Sequence, residues 1–218
     1  MGEKDLREIA KAQMDRVLKI VRRILEERRD TVWVPIRQRC SFEGWLKIEL
    51  ARALEEEGFV NVKLEEDIVG QRVDIVFKSC LNDEDIRFLL NLKICLTGWW
   101  RNEWLSEDIT YDFRYRRGRG TTNVRGVLED IDKVNFAAQF YPHYLGIVLM
   151  LLCPISIEHH VPELKERIKH HWRSYEDQLL REPHLREVVR IKGDVGVAIF
   201  LFGPYGKLSG IHPKFELS

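Results

Sequence analysis

The chain has no surplus of charge. Its 218 residues carry 35 Lys plus Arg against 35 Asp plus Glu, a formal net charge of zero. No overall field draws it to nucleic acid or to a membrane surface, so any such contact must come from a local patch. Cysteine is sparse: Cys40, Cys80, Cys95 and Cys153 are scattered, with no CxxC pair. That argues against a zinc ribbon or a disulfide framework and suits a reducing, cytoplasmic setting. No apolar run is long enough to span a bilayer. The longest, YLGIVLMLLCPI from Tyr144, is interrupted by Pro154 and reads as a buried strand, so no membrane partner is expected. The N-terminus is charged from Glu3 onward and offers no apolar stretch for a signal peptide, so none is expected. A glycine-rich phosphate loop is missing too: GPYGKLSG lacks the spacing and has no evident helix after it. Internal repeats and low-complexity tracts are absent.

What is present describes a globular chain, 44% hydrophobic and 32% charged, long enough for one well-packed domain and short for two. Residues 3–29 repeat apolar positions at helical spacing, from Leu6 and Ile9 to Ile24 and Leu25. A break is expected over DTVWVPIRQRC, which contains Pro35. Ser41 is a candidate cap for a helix over SFEGWLKIELARALEEEG, ended by Gly58. Three strands follow, VNVKLEEDI, QRVDIVFK and IRFLLNLKICL, with Gly70 and the turn at Asn82 and Asp83 between them. Their short links predict an antiparallel meander. A helix fits VRGVLEDIDKVNFAAQF, then a strand over 145–152 reached by a crossover. A polar helix after Pro162 and a last strand, GVAIFLF, complete the order. The class is α/β, a mixed sheet flanked by helices.

The strand FLLNLKICL, residues 88–96, raises a question. Seven of its nine residues are apolar, yet Asn91 and Lys93 stand in the middle and share one face with Cys95. If the preceding hairpin is centred on Asn82 and Asp83, Asp74 falls opposite Asn91, and Lys93 falls opposite Arg72. Asp74 itself interrupts an apolar strand, between Val73 and Ile75. On the second helix, Glu49 lies three residues after Leu46 and four before Ala53, beside the apolar stripe, where a carboxylate needs a partner. Glu43 lies on another azimuth near the helix start, where negative charge suits the dipole, and ranks below Glu49. Two carboxylates beside a lysine suit phosphodiester hydrolysis: carboxylate oxygens hold magnesium, and the lysine stabilises the transition state. Plainer alternatives stay open: a cross-strand hydrogen-bonded pair for Asp74 and Asn91, a snorkelling or ion-paired Lys93, and a Glu49 half turned to solvent.

This layout resembles the PD-(D/E)XK nuclease superfamily, whose core runs helix, three-stranded meander, helix, strand. The resemblance covers residues 41–152 and rests on Glu49 in WLKIELARAL, Asp74 in RVDIVF and Lys93 in NLKICL. It implies a restriction-endonuclease-like core of order αβββαβ. Residues 1–38 would be an N-terminal helical extension and 153–218 a C-terminal elaboration of one domain. It implies Asp74 and Glu49 as ligands of Mg2+ or Mn2+, with Asn91 assisting through its carbonyl and Lys93 acting in the transition state. The chain departs from the family at Asn91, where a second acid is usual; the amide offers an oxygen but no charge. The expected function is metal-dependent cleavage of DNA or RNA. The alternative is an inactive nuclease-fold module that binds nucleic acid or serves in an assembly.

The segment between the third strand and the next helix is basic and aromatic. Arg114, Arg116, Arg117 and Arg119 form a cluster suited to phosphates, and Trp99, Trp100, Trp104, Tyr111 and Tyr115 are candidates for stacking on bases. A merely solvated loop is the other reading. His159, His160, His170 and His171 match no zinc spacing. The N-terminal amphipathic helix is a candidate homodimer surface.

Overall fold

Leu46, Leu50, Ala53 and Leu54 recur at spacings of three and four, and the helix they define forms as α3 (Glu43–Glu56) with all four buried. Phe42, rather than Ser41, occupies its cap position; the Ser41 hydroxyl accepts the Glu43 N–H at 3.3 Å. Gly58, at φ +84°, turns the chain out of the helix in the left-handed region that only glycine enters at little cost. The computed structural model describes residues 3–38, 40–81, 84–97, 123–158, 160–161 and 184–206.

Two helices precede α3: α1 (Glu3–Glu27) and α2 (Arg29–Gln38). The break expected at Pro35 is instead helix, with Pro35 inside α2. A mid-helix proline costs about 3 kcal/mol. Val32 and Ile36 are both fully buried on that helix, and at about 1.5–3 kcal/mol each they offset it. The apolar stripe of α1, from Ala10 to Leu25, is buried within the chain's own core, so the dimer expectation loses that stripe as its surface.

The meander is present. β1 (Val60–Ile68), β2 (Gln71–Leu81) and β3 (Glu84–Leu96) pair antiparallel in turn. After α4 (Asn123–Phe140), β4 (Tyr144–Ser156) lies parallel to β3, as a crossover through a helix requires. β5 (His184–Lys192) is not among the strands expected from the sequence; it forms a hairpin with β6 (Val195–Tyr205) across Gly193 and Asp194. Charges at Arg186, Glu187, Arg190 and Lys192 hide its buried positions, Val189 and Ile191. The polar helix expected after Pro162 falls outside the described residues.

The six strands form one mixed sheet in the order β1-β2-β3-β4-β6-β5. One face packs on α1, α2 and α3 through Ile75, Phe77, Phe88, Leu90, Leu92 and their neighbours. The other packs on α4 through Leu89, Cys95, Val148, Met150 and Phe200. The class is therefore α/β with helices on both faces, as expected. Among the described residues no helix is long and apolar enough to cross a membrane.

Helix α4 lies close on β4 because Gly146 has no side chain. A Cβ there would stand 2.7 Å from the Val134 carbonyl oxygen. Gly146→Ala must push α4 off the sheet and is expected to cost about 1–3 kcal/mol, read as a lower denaturant midpoint. An unchanged midpoint would show that α4 yields freely.

Candidate functional site

The sheet forks between β2 and β3. Their ladder runs from Leu81 opposite Glu84 to Ile75 opposite Leu90 and stops there. Beyond that point Arg72 and Val73 stay paired with β1, and Asn91 to Leu96 stay paired with β4. The register centred on Asn82 and Asp83 therefore holds, and it sets Asp74 against Asn91 at the crotch of the fork. The expected pairing of Lys93 with Arg72 does not form, because the strands have already parted; Arg72 bonds Glu65 at 2.7 Å instead.

Parted strands leave main-chain donors that need partners. Side chains supply them. The Asp74 N–H donates to Asn91 Oδ1 at 3.0 Å. The Leu92 N–H donates to Asp74 Oδ2 at 2.8 Å, and the Ile94 N–H to Glu43 Oε2 at 3.1 Å. Asn91, only 2% exposed, turns its Nδ2 to Asp130 Oδ1 of α4 at 3.3 Å. A flipped amide would set NH2 against N–H and oxygen against carboxylate, two repulsive contacts, so this orientation is the chemically consistent one. Both ends of Asn91 are thus engaged inside the protein.

On the α3 side, Lys47 Nζ donates to Asp74 Oδ1 at 2.7 Å and to Glu65 Oε1 at 3.1 Å, and lies 3.8 Å from Glu43 Oε1. On the α4 side, Lys133 Nζ donates to Asp130 Oδ1 at 3.0 Å. A polar chain thus runs from Lys133 and Asp130, through Asn91 and Asp74 in the fork, to Lys47, Glu43 and Glu65. Burial alone would lower the Lys47 ammonium. The bond and charge of Asp74, the bond to Glu65 and the charge of Glu43 outweigh that and hold it above its ordinary value. Burial likewise pulls Glu65 upward, but Lys47 and Arg72 together hold it below the usual range.

Lys93 behaves differently. It is half-buried and forms no hydrogen bond or ion pair with another described residue. Gly126 of α4 leaves room for it: a Cβ there would stand 3.2 Å from Lys93 Cε. Its charge reaches the buried Cys95 thiol, as do those of Glu43 and Asp130. Burial dominates at Cys95 and pushes the thiol far up, so it is a packed, protonated side chain and no nucleophile. Burial raises Cys153 in the same way, to about 12.

Glu49 is not part of this group. Its carboxylate faces Arg52 at 3.6 Å and Arg28 at 4.0 Å, on the α1 side of α3. At about 100° per residue, Glu49 lies some 240° around the helix from Glu43. On the same count Glu43 falls between Leu50 and Leu54, within the span of the apolar stripe at the helix start, and Lys47 lies just beside it, whereas Glu49 lies beyond the other edge of the stripe, past Ala53. The carboxylate expected from α3 is therefore Glu43. Asp130, also missed, had a signal: it sits three residues after Val127 and four before Val134, both buried. Arg114, Arg116, Arg117, Arg119, Trp99 and Trp100 lie outside the described residues, as do His159, His170 and His171. His160 is buried and accepts the Ser156 N–H through Nδ1 at 2.9 Å.

Among the described residues no group of three or more His, Cys, Asp or Glu is arranged to hold a metal. Glu43 and Asp74 nevertheless share one cationic position, taken by the Lys47 ammonium. No known family model matches the chain, and no curated protein or solved structure matches it.

Replacing Lys47 removes the counter-charge of three carboxylates. Lys47→Met is expected to cost about 1–3 kcal/mol at neutral pH, since Lys47 and Asp74 are only 14% and 16% exposed. Lys47 is raised in the folded state, so its contribution is complete below its ordinary 10.5 and is lost as pH rises through the folded value. Glu65 is lowered, so its share is complete above 4.5 and is lost as pH falls through the folded value. The stability gap between the two proteins is expected to stay flat between those limits and to narrow outside them. Urea titrations across pH check this; a gap that widens in acid would contradict it.

Proposed function

We propose that this chain is a restriction-endonuclease-like protein of the PD-(D/E)XK type that hydrolyses phosphodiester bonds in nucleic acid with a divalent metal. The observation that carries the reading is Lys93: a half-buried ammonium with no acid partner among the described residues, two positions along β3 from Asn91. An ammonium partly withdrawn from water, with no acid bonded to it, is placed to meet an arriving phosphate. The order of elements supports the reading, since α3, β1 to β3, α4 and β4 follow the αβββαβ sequence with β3 parallel to β4.

The residues present fit a small divalent cation. Glu43 and Asp74 already converge on one cation, the Lys47 ammonium, at 3.8 and 2.7 Å. Magnesium needs no more than one or two protein carboxylates, with water completing its shell. Bound there, Mg2+ or Mn2+ would polarise the phosphate and make its water a better nucleophile. Lys47 would have to leave that position for the metal to enter it. Glu43 and Asp74 would hold the cation, and both are fixed from behind by the Ile94 and Leu92 N–H groups. Asn91 acts as a brace rather than a ligand, because its oxygen is committed to the Asp74 N–H. Lys93 meets the charge that builds on the phosphate oxygens.

A specific observation favours a second reading, a nuclease-fold module that binds nucleic acid without cutting it. Glu43, Glu65 and Asp74 already meet the Lys47 ammonium and Asp130 meets Lys133, so each of these acids has a cation with no metal. An acid at position 91 would have left a negative charge to be met.

The experiment is cleavage of labelled single-stranded DNA, duplex DNA and RNA in Mg2+ or Mn2+, with EDTA as the control. Products are expected with metal. Asp74→Ala should abolish them, and Lys93→Ala should slow them at least about a hundredfold. No product from any nucleic acid in either metal, even from Lys47→Met, selects the non-cutting reading.

A further inference from the structure

The α4 side of the sheet carries a second feature, away from the fork. Tyr144, Arg87 and Lys78 stand side by side on β4, β3 and β2. Tyr144 and Val76 pack into the α4-side cluster, and Lys78 is two residues from Val76, so the row lies on that face. Lys63, opposite Val76, extends it to the edge strand. A hollow of about 260 Å³ opens here, with Lys63, Ile68, Val76, Lys78 and Arg87 in its lining.

Helix α4 ends beside this row. Lys133, Phe136 and Phe140 follow one flank of the helix at i, i+3 and i+7. Lys133 bonds Asp130, which meets Asn91 of β3. Phe136 and Phe140 are 45% and 53% exposed and meet edge-on at 4.8 Å. Tyr141, 45% exposed, lies 4.8 Å from Tyr144, and the Arg87 guanidinium sits 5.3 Å over the Tyr144 ring.

Three exposed aromatics within six residues call for an apolar, flat-faced occupant. The adjoining cations call for an anionic one. Arg87 has no carboxylate partner among the described residues, and Glu66, the acid of the hollow, pairs with Lys63 at 2.9 Å. An apolar protein surface would strip water from the Arg87 guanidinium and return no opposite charge. A duplex hides its base faces. We propose that this surface binds single-stranded nucleic acid, with bases stacked on Phe136, Phe140 and Tyr141 and phosphates against Arg87, Lys78 and Lys63. It rests on the nucleic-acid half of the function proposed above, not on cleavage.

The test is fluorescence anisotropy with labelled oligo-dT and oligo-rU of roughly 16 nucleotides, in EDTA so that nothing is cut. The Phe136→Ala/Phe140→Ala double variant should bind at least about tenfold more weakly. Arg87→Ala should flatten the slope of log affinity against log salt by about 0.7. Arg52→Ala, on the α1 side, should change neither. Unaltered melting temperatures establish that the variants fold. Full-strength binding by both variants overturns this surface, even where Asp74-dependent cleavage is found. Duplex bound as tightly as single strand overturns it as well, as does a wild-type chain that binds neither probe. Binding lost in both variants sustains it even if no cleavage is seen.

Discussion

The point on which the site depends is the end of the β2–β3 ladder. A sheet that stops pairing in its interior exposes main-chain donors on two facing edges, in a place water reaches poorly. Here Asp74, Asn91 and Glu43 take over the bonds a continuous ladder would have made. Each of these side chains is consequently fixed by main chain rather than by a neighbouring side chain alone. A carboxylate held by an N–H keeps its geometry when its counter-ion changes, which the proposed entry of a metal in place of Lys47 would require.

The fork also separates two lysines that look alike in sequence. Lys47 reaches carboxylates on α3, β1 and β2 and closes the charge account on its side of the sheet. Lys93 points to the α4 face and closes none. Surface ion pairs are worth little, but neither of these lysines is at the surface in that sense, so the difference has chemical weight. One lysine is a structural cation and the other is available to an incoming anion.

How much of this could be read beforehand follows from what each inference rested on. Strand periodicity and a short turn fix a register, so Asp74 was correctly set against Asn91. The same logic placed Lys93 opposite Arg72 and failed, since alternation says nothing about where a ladder ends. Glu49 was preferred to Glu43 because Glu43 was set on another azimuth near the helix start, although at about 100° per residue it falls between Leu50 and Leu54. α2 was hidden by Pro35, whose cost is local while the burial of Val32 and Ile36 is tertiary. β5 was hidden by its charges, although Gly193-Asp194 between two β-branched runs was a readable hairpin signal.

The residue that departs from the expected motif is explained by its neighbours. Position 91 must accept a bond from the Asp74 N–H and face the Asp130 carboxylate at the same time. A carboxylate there could do the first but not the second unless it held a proton, because two acids in so buried a place repel. An amide has one acceptor end and one donor end and meets both demands. Asn91 and Asp130 are therefore a matched pair. Within this chain, restoring an acid at 91 alone would set it against Asp130, so the position is tied to α4 as much as to the strand that carries it.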